Sequence, residues 1–297
     1  MGKKTFWNHL TISLVFIMPA FTVFFIFLLW PVLKAVQYSF TDWNGISRVK
    51  QFIGLKNYIE FFTTENSYAA IGRTFLLAGY VVVIQNAIAL LFAEFLDSMK
   101  KGGGVYKIIF FAPSILSTII VAFLWNYMYS PVDGVLKILF TQFNLEGLAA
   151  VRWLANPDIA LFSIGNVMIW QFFGYTMVIY FSGMQSISHT YYEAAKIDGA
   201  NGWHIFWNIK FPLIASVFTI NIILSVIGAL KQFEHIFLMT NGGPGRATET
   251  ISILIYNQAF GISRMGYGTA VSMILLVIIL FVSKILLTVL QARETRI

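Results

Sequence analysis

One stretch of this 297-residue chain gathers acidic, basic and aromatic side chains that could contact another protein. It runs over Ser188–Pro212 and reads SHTYYEAAKIDGANGWHIFWNIKFP. Thr190 and Glu193 stand at the spacing of a capping box, which predicts a short helix beginning at Tyr191. Gly199 supplies the left-handed residue that ends this helix. The stretch therefore predicts a helix, a glycine turn and a second helix within one charged loop.

The second helix of this loop is predicted from its own boundary signals. Asn201 can cap a helix that runs from Gly202 to about Ile209, and Pro212 is expected to stop it. This loop is longer than a connection between two helices needs to be, since most such connections are short. Long, ordered, charged loops tend to be docking surfaces for other proteins. The alternative interpretation is an amphipathic connector lying on a membrane, in which Glu193 serves only as a cap.

Other chemistry has little support in the sequence. There is no cysteine, and no G-x-x-x-x-G-K-[ST] phosphate loop. The histidines (His9, His189, His204, His235) are scattered without metal-ligand spacing. The sequence thus predicts no catalytic residue, no metal site and no cofactor site in this chain.

The elements that position the charged loop follow from composition. Hydrophobic residues make up 58% of the chain and charged residues only 11%, too few to coat a soluble protein of this length. Solid uncharged runs of about 20 residues or more predict membrane-spanning helices rather than barrel strands. The predicted spans are residues 10–33, 74–97, 108–130, 159–184, 211–232 and 265–290. The predicted fold class is an all-α integral membrane protein, residues 1–297 forming one transmembrane domain and residues 188–212 a loop between helices four and five.

The orientation is predicted from the basic residues. An even number of spans puts both termini on one side, and the higher density of Lys and Arg on that side favours a cytoplasmic location. The tight Lys100-Lys101 turn between helices two and three supports this assignment. Residues 250–263 are too short and too polar for a span, so they are expected to form an interfacial or re-entrant element.

A family resemblance becomes specific at the charged loop. The segments Glu193-Ala194-Ala195 and Asp198-Gly199-Ala200, with Pro212 following, resemble the EAA loop of binding-protein-dependent ABC importer permeases. Other segments resemble the MalF-like carbohydrate permeases of that family: residues 39–43 (SFTDW), residues 52–58 (FIGLKNY), Pro113, Trp125, Trp170-Gln171 and residues 240–244 (TNGGP). The resemblance extends from about residue 10 to 290. Two departures are Ser188, where the family usually has proline, and Lys210-Phe211, where it commonly has Thr-Leu.

The resemblance implies a compact six-helix permease of the type I ABC importer class, located in a bacterial or archaeal inner membrane. It implies a heterodimer with a second permease, two ATPase subunits that bind ATP and Mg, and an extracytoplasmic sugar-binding protein that delivers a carbohydrate. The ATPase-coupling residues carried over are Glu193, Ala194, Ala195, Asp198 and Gly199. The net charge of +7 is explained by membrane topology, and nucleic acid is not an expected partner.

A carbohydrate pathway needs polar groups that match hydroxyls, together with aromatic faces. Helix four offers Gln171 and Tyr175, and helix five offers Ser225 and Gln232. In the family, residues in the outer half of the helix before the NGGP turn contact sugar, which favours Ser225 and Gln232. The alternative is that Ser225 bonds to its own helix and that the aromatic rings only pack.

Two other classes of protein remain as alternatives. An ion-coupled secondary transporter or channel would not need an ATPase, but it is expected to carry ionisable residues within its spans and an inverted repeat. Glu94, near the end of helix two, is the acid that lies close to a span, and the sequence shows no repeat. An integral membrane enzyme would need a cluster of His, Asp and Glu at the membrane surface, which the sequence does not show.

Overall fold

The computed structural model describes residues 16–99 and 102–294, and this part of the chain is helical, with a single isolated β-bridge between Thr41 and Phe52. Both findings confirm the predicted all-α class. The helices are α1 (Phe16–Ser39), α2 (Lys56–Thr63), α3 (Glu65–Ser98), α4 (Gly103–Phe111), α5 (Thr118–Met128), α6 (Val135–Gln142), α7 (Glu146–Ala149), α8 (Ala160–Gln185), α9 (His189–Ile197), α10 (Gly202–Leu213), α11 (Ala215–Leu230), α12 (Glu234–Met239), α13 (Ile251–Tyr256) and α14 (Met265–Glu294).

Four of these helices, α1, α3, α8 and α14, are long and apolar enough to cross a membrane, and two bent helix pairs raise the number to six if each pair forms one span. The segment expected to be re-entrant contains α13 and a π-helical turn at Asn257–Gly261. The first six residues of the predicted first span and the Lys100-Lys101 turn lie outside the described residues.

The predicted third span is broken rather than straight. Residues Gly103–Ile115 and α5 meet at an angle of 96°. Pro113 lies in a 3₁₀ turn after α4, and Ser117 takes an extended conformation and caps α5 through its side chain. Proline weakens a continuing helix and a serine cap starts a new one, so the bend is encoded locally.

The predicted stop at Pro212 is wrong. Helix α10 passes through Pro212 and ends at Leu213, and α11 follows at an angle of 72° after Ile214. A π-helical turn at Phe206–Lys210 precedes the proline. Such a turn rearranges the backbone hydrogen bonds that the proline cannot continue, so the bend comes after Pro212 instead of the helix ending before it.

The chain divides into two compact units, of which the first comprises residues 1–64 and 255–274. Within this unit the Asn57 amide donates 2.9 Å hydrogen bonds to the carbonyl oxygens of Ser39 and Thr41. Arg264 makes two hydrogen bonds of 2.6 and 2.7 Å to the Glu60 carboxylate, and this pairing raises the pKa of Arg264. The Asn57 bonds fix the connection between α1 and α2, and the Arg264 pair links α2 to the residue that precedes α14.

The second unit comprises residues 65–254 and 275–297 and contains the main hydrophobic core. Helices α3 and α8 pack along their length, with Leu77 and Val81 facing the same core as Ile164 and Val167. Helix α8 also approaches α4 closely, because a Cβ atom at Gly174 would overlap the carbonyl oxygen of Phe110. Small residues allow this kind of close helix contact in membranes.

Candidate functional site

A cavity of about 440 Å³ lies within the second unit, lined by residues of α3, α8, α11 and α12 and by Thr118 of α5. Its size falls in the range of pockets that hold small ligands. Polar groups that line it include Gln85, Thr176, Asn221, Ser225 and Gln232, and Tyr175 adds an aromatic face. Lys231 and Glu234, one of each charge, line it where α11 ends and α12 begins. The polar groups that a ligand would meet in this cavity are therefore mainly amides and hydroxyls, set among apolar side chains such as Phe172 and Leu224.

One side of the cavity is held by a chain of hydrogen bonds through His235. The Gln232 side-chain nitrogen donates to His235 Nδ1 at 2.7 Å, and His235 Nε2 donates to the Gln171 oxygen at 2.7 Å. The Gln171 nitrogen donates to the Leu116 carbonyl oxygen at 3.0 Å. Burial lowers the pKa of His235 to about 4, so the ring is neutral at pH 7.

A second network of hydrogen bonds, around Gln85 and Asn86 of α3, holds other residues that line the cavity. The Tyr180 hydroxyl donates to the Asn86 oxygen at 2.8 Å, while the Asn86 nitrogen donates to the Ser225 hydroxyl oxygen at 3.1 Å. The Gln85 nitrogen donates to the Thr176 hydroxyl oxygen at 2.8 Å. Ser225 and Thr176 each accept one of these bonds, so each keeps a hydroxyl hydrogen with which it can donate.

The predicted pathway residues fall into two groups. Tyr175, Ser225 and Gln232 line the cavity. Gln171 does not line it, because it is buried between Leu116 and His235, where it orients the histidine ring. Its role as a pathway residue remains a prediction, and the geometry gives it a supporting position.

Sequence reasoning missed most of the second network and dismissed His235 as a scattered histidine. Asn86 and Gln85 form an amide pair inside an otherwise apolar run, which is a signal that could have been used. No comparable signal existed for His235. Its partner Gln171 is 64 residues away in the sequence, and only the packing of α8 against α12 brings the two together.

The first helix of the predicted coupling loop begins two residues earlier than expected. Helix α9 starts at His189 instead of Tyr191, with Ser188 as the cap: its side chain accepts from the backbone N–H of Thr190 at 3.5 Å. Ser188 is extended and so leaves His189 free to enter the helix. Gly199 has a φ of +78°, which confirms the left-handed end of this helix.

Four of the five predicted coupling residues, Glu193, Ala194, Asp198 and Gly199, are exposed, whereas Ala195 is buried. The Asn201 cap is confirmed, since its side-chain oxygen accepts from the backbone N–H of His204 at 3.0 Å. Exposed Ile197 and Trp203 flank this turn. The loop therefore presents carboxylates beside apolar side chains, a combination suited to a protein partner.

Comparison with known proteins finds matches over most of the chain. A family model described as a binding-protein-dependent transport system inner membrane component matches residues 85–296. A probable ABC transporter permease of Pyrococcus horikoshii is 33% identical over 269 residues, covering 91% of this chain and 92% of the relative. A probable starch degradation products transport system permease of Thermoanaerobacterium thermosulfurigenes is 33% identical over 280 residues, covering 94% of each.

The fold also matches a solved structure. A bacterial ABC transporter involved in the import of the acidic polysaccharide alginate contains a chain that superimposes with a TM-score of 0.84, at 22% sequence identity. The match covers 97% of this chain and 99% of the other. The overall fold of this chain is thus one already seen in a chain of a membrane importer.

Proposed function

This chain belongs to the family of inner membrane components of binding-protein-dependent transport systems, and on that premise we propose that it conducts a carbohydrate through the cavity between α3, α8, α11 and α12. As a member of this family it is a multi-pass permease subunit of an ABC importer, a transport component rather than an enzyme. An ion-coupled transporter or channel is set aside for the same reason.

The cavity is the observation that carries the proposed substrate class. Its amides and hydroxyls can exchange hydrogen bonds with sugar hydroxyls, and Tyr175 can stack on a sugar face. A relative that shares a third of its residues is named for starch degradation products, which are carbohydrates. A neutral saccharide suits this lining better than a strongly charged ligand.

The proposed assembly contains three kinds of partner. An extracytoplasmic binding protein delivers the carbohydrate, a second permease completes the passage, and two ATPase subunits supply ATP and Mg chemistry that this chain does not carry. Glu193, Ala194, Ala195, Asp198 and Gly199 form the contact with an ATPase subunit, which places the loop and both termini in the cytoplasm. Exposed carboxylates at Glu193 and Asp198 can bond basic groups on that subunit.

Copurification from native membranes tests this proposal. The tagged chain, extracted in mild detergent, is expected to bring an ATPase subunit with it, and Glu193→Lys is expected to reduce the amount by about tenfold or more because like charges then face each other. The matched control is Glu65→Lys, the same charge reversal at an exposed carboxylate at the start of α3, outside the loop. Purification of the unsubstituted chain alone, with substrate uptake independent of ATP, would contradict the proposal.

A further inference from the structure

A cluster of three ionic side chains joins the coupling loop to the end of α3. The Lys210 ammonium donates to both Glu94 oxygens at 2.8 and 2.7 Å, and to Asp97 Oδ2 at 2.6 Å. The side chains of Lys210 and Asp97 are only 8% and 9% exposed. These are charge-assisted bonds at short distances, which are the strong class of hydrogen bond.

Asp97 holds both ends of the loop at one point. Its second oxygen accepts a 2.6 Å hydrogen bond from the side-chain nitrogen of Gln185, the last residue of α8. Lys210 lies in α10, near the other end of the loop. The same ammonium lies 5.6 Å from the ring centre of Tyr192 in α9, so both helices of the loop contact the cluster.

The cluster also shares a helix with the cavity. Asn86, which bonds Ser225 at the cavity wall, and Asp97 both belong to α3. At 1.5 Å per residue they are about 16 Å apart along the helix. A packed, continuous helix can transmit displacement along its axis, so a shift of the loop relative to the membrane can reach the cavity through α3.

Stability alone does not account for this cluster, in which Lys210 and Asp97 are nearly buried and Glu94 is 28% exposed. A buried ion pair is often no more stabilising than apolar side chains of the same volume, because desolvation offsets the attraction. What such a pair provides is a fixed geometry: an ammonium held by three carboxylate oxygens cannot slide along its partner as a methyl group can. A fixed joint at this position would make the loop and α3 move together.

We infer that Lys210 is a positioning residue that, with Glu94 and Asp97, clamps the coupling loop to α3, so that ATP-driven displacement of the loop reaches the cavity. This role rests on the proposed function, since it needs an ATPase subunit on the loop. It lies outside the Glu193–Gly199 motif and requires no contact between Lys210 and the ATPase.

The test compares transport with ATP hydrolysis in the complete assembly, purified from native membranes and reconstituted in liposomes with its binding protein. Lys210→Met is expected to retain the ATPase subunits but to lower substrate transported per ATP hydrolysed by about tenfold, within the usual range of coupling between sites. Lys210→Arg keeps the charge and the donors, so it is expected to retain most of this ratio. Lys56→Met, which removes an exposed lysine at the start of α2, outside the loop and the ionic cluster, is the matched control.

A variant with all three charges removed covers the case in which Lys210→Met fails to fold. Glu94→Gln, Asp97→Asn and Lys210→Met together leave no unpaired buried charge, yet they remove the clamp, and the transport ratio is again expected to fall about tenfold. An unchanged ratio in this triple variant, or an equal loss in Lys56→Met, overturns the positioning role. Failure of the unsubstituted chain to bring down any ATPase subunit instead overturns the proposed function.

Discussion

Two polar regions lie on the same helix, α3, and they use their polar groups in opposite ways. Around Gln85 and Asn86, amides and hydroxyls bond one another but keep hydrogen-bonding capacity at the cavity. Around Glu94 and Asp97, full charges are bonded to Lys210 and to each end of the loop. The first region is suited to a ligand that comes and goes, and the second to a contact that stays closed.

The largest expected effect that separates the two regions is on folding. Asp97→Leu leaves the buried Lys210 with one carboxylate and removes the acceptor for Gln185, and loss of a buried ionic partner costs about 3–5 kcal/mol. Asn86→Leu, the same change at a neutral position of the same helix, is expected to cost only about 1–3 kcal/mol. The midpoints of thermal unfolding of the two detergent-solubilised variants show which substitution costs more stability. Equal shifts of both midpoints would break the distinction between the two regions.

A pH effect of intermediate size is expected at the cavity. Because the pKa of His235 is lowered to about 4, the unfolded chain takes up a proton on this histidine near pH 6.5 while the folded chain does not. The neutral His235 therefore costs no free energy of unfolding above pH 6.5. As the pH drops toward 4, the free energy of unfolding falls by roughly 3 kcal/mol because of this group.

His235→Gln provides the control for this pH effect, since it keeps a hydrogen-bonding side chain and leaves Lys231 and Glu234 in place. The difference between its unfolding midpoint and that of the unsubstituted chain, measured from pH 7.5 to pH 4.5, isolates the contribution of His235. A difference that does not change with pH would show that the cavity is more hydrated than its buried histidine implies.

The smallest expected effect concerns the ligand. Gln232→Leu removes an amide at the cavity wall, and loss of one hydrogen bond to a neutral ligand is worth about 1 kcal/mol, or roughly a fivefold rise in the half-saturating concentration for uptake. The amount of ATPase subunit that copurifies should be unchanged. Ser225→Ala is a second probe of the same wall. If either variant uncoupled ATP hydrolysis while leaving the half-saturating concentration unaltered, the assignment of ligand binding to the cavity and of coupling to the ionic cluster would be wrong.

Local signals in the sequence predicted local structure. The left-handed turn at Gly199 and the cap at Asn201 are set by residues within four positions, so they could be recognised without the fold. The start of α9 was misplaced because Ser188 and Thr190 are both capable caps, and backbone conformation at Ser188 decided between them. The break after Pro212 was misplaced because a π-helical turn absorbed the effect of the proline.

The functional contacts between helices could not be predicted in this way. Lys210 and Asp97 are separated by 113 residues, and His235 and Gln171 by 64, so each pair depends on how whole helices pack. Lys210 was noted only as a departure from a family pattern, and Glu94 only as an acid near a span. Their mutual contact exists only because the end of α3 lies against α10 in the folded chain.

The break between α4 and α5 sets the donor-to-acceptor direction of the hydrogen bonds along one wall of the cavity. The carbonyl oxygen of Leu116, at the start of this break, can only accept a hydrogen bond, and it receives one from Gln171. Each later link must then point the same way: Gln171 turns its oxygen to His235 Nε2, and His235 Nδ1 takes the Gln232 amide hydrogen. What remains of Gln232 for a ligand is its oxygen, which accepts, and the second hydrogen of its amide nitrogen, which donates. A single backbone carbonyl thus fixes which way the Gln232 amide faces, so that a sugar hydroxyl can both donate to its oxygen and accept from its nitrogen.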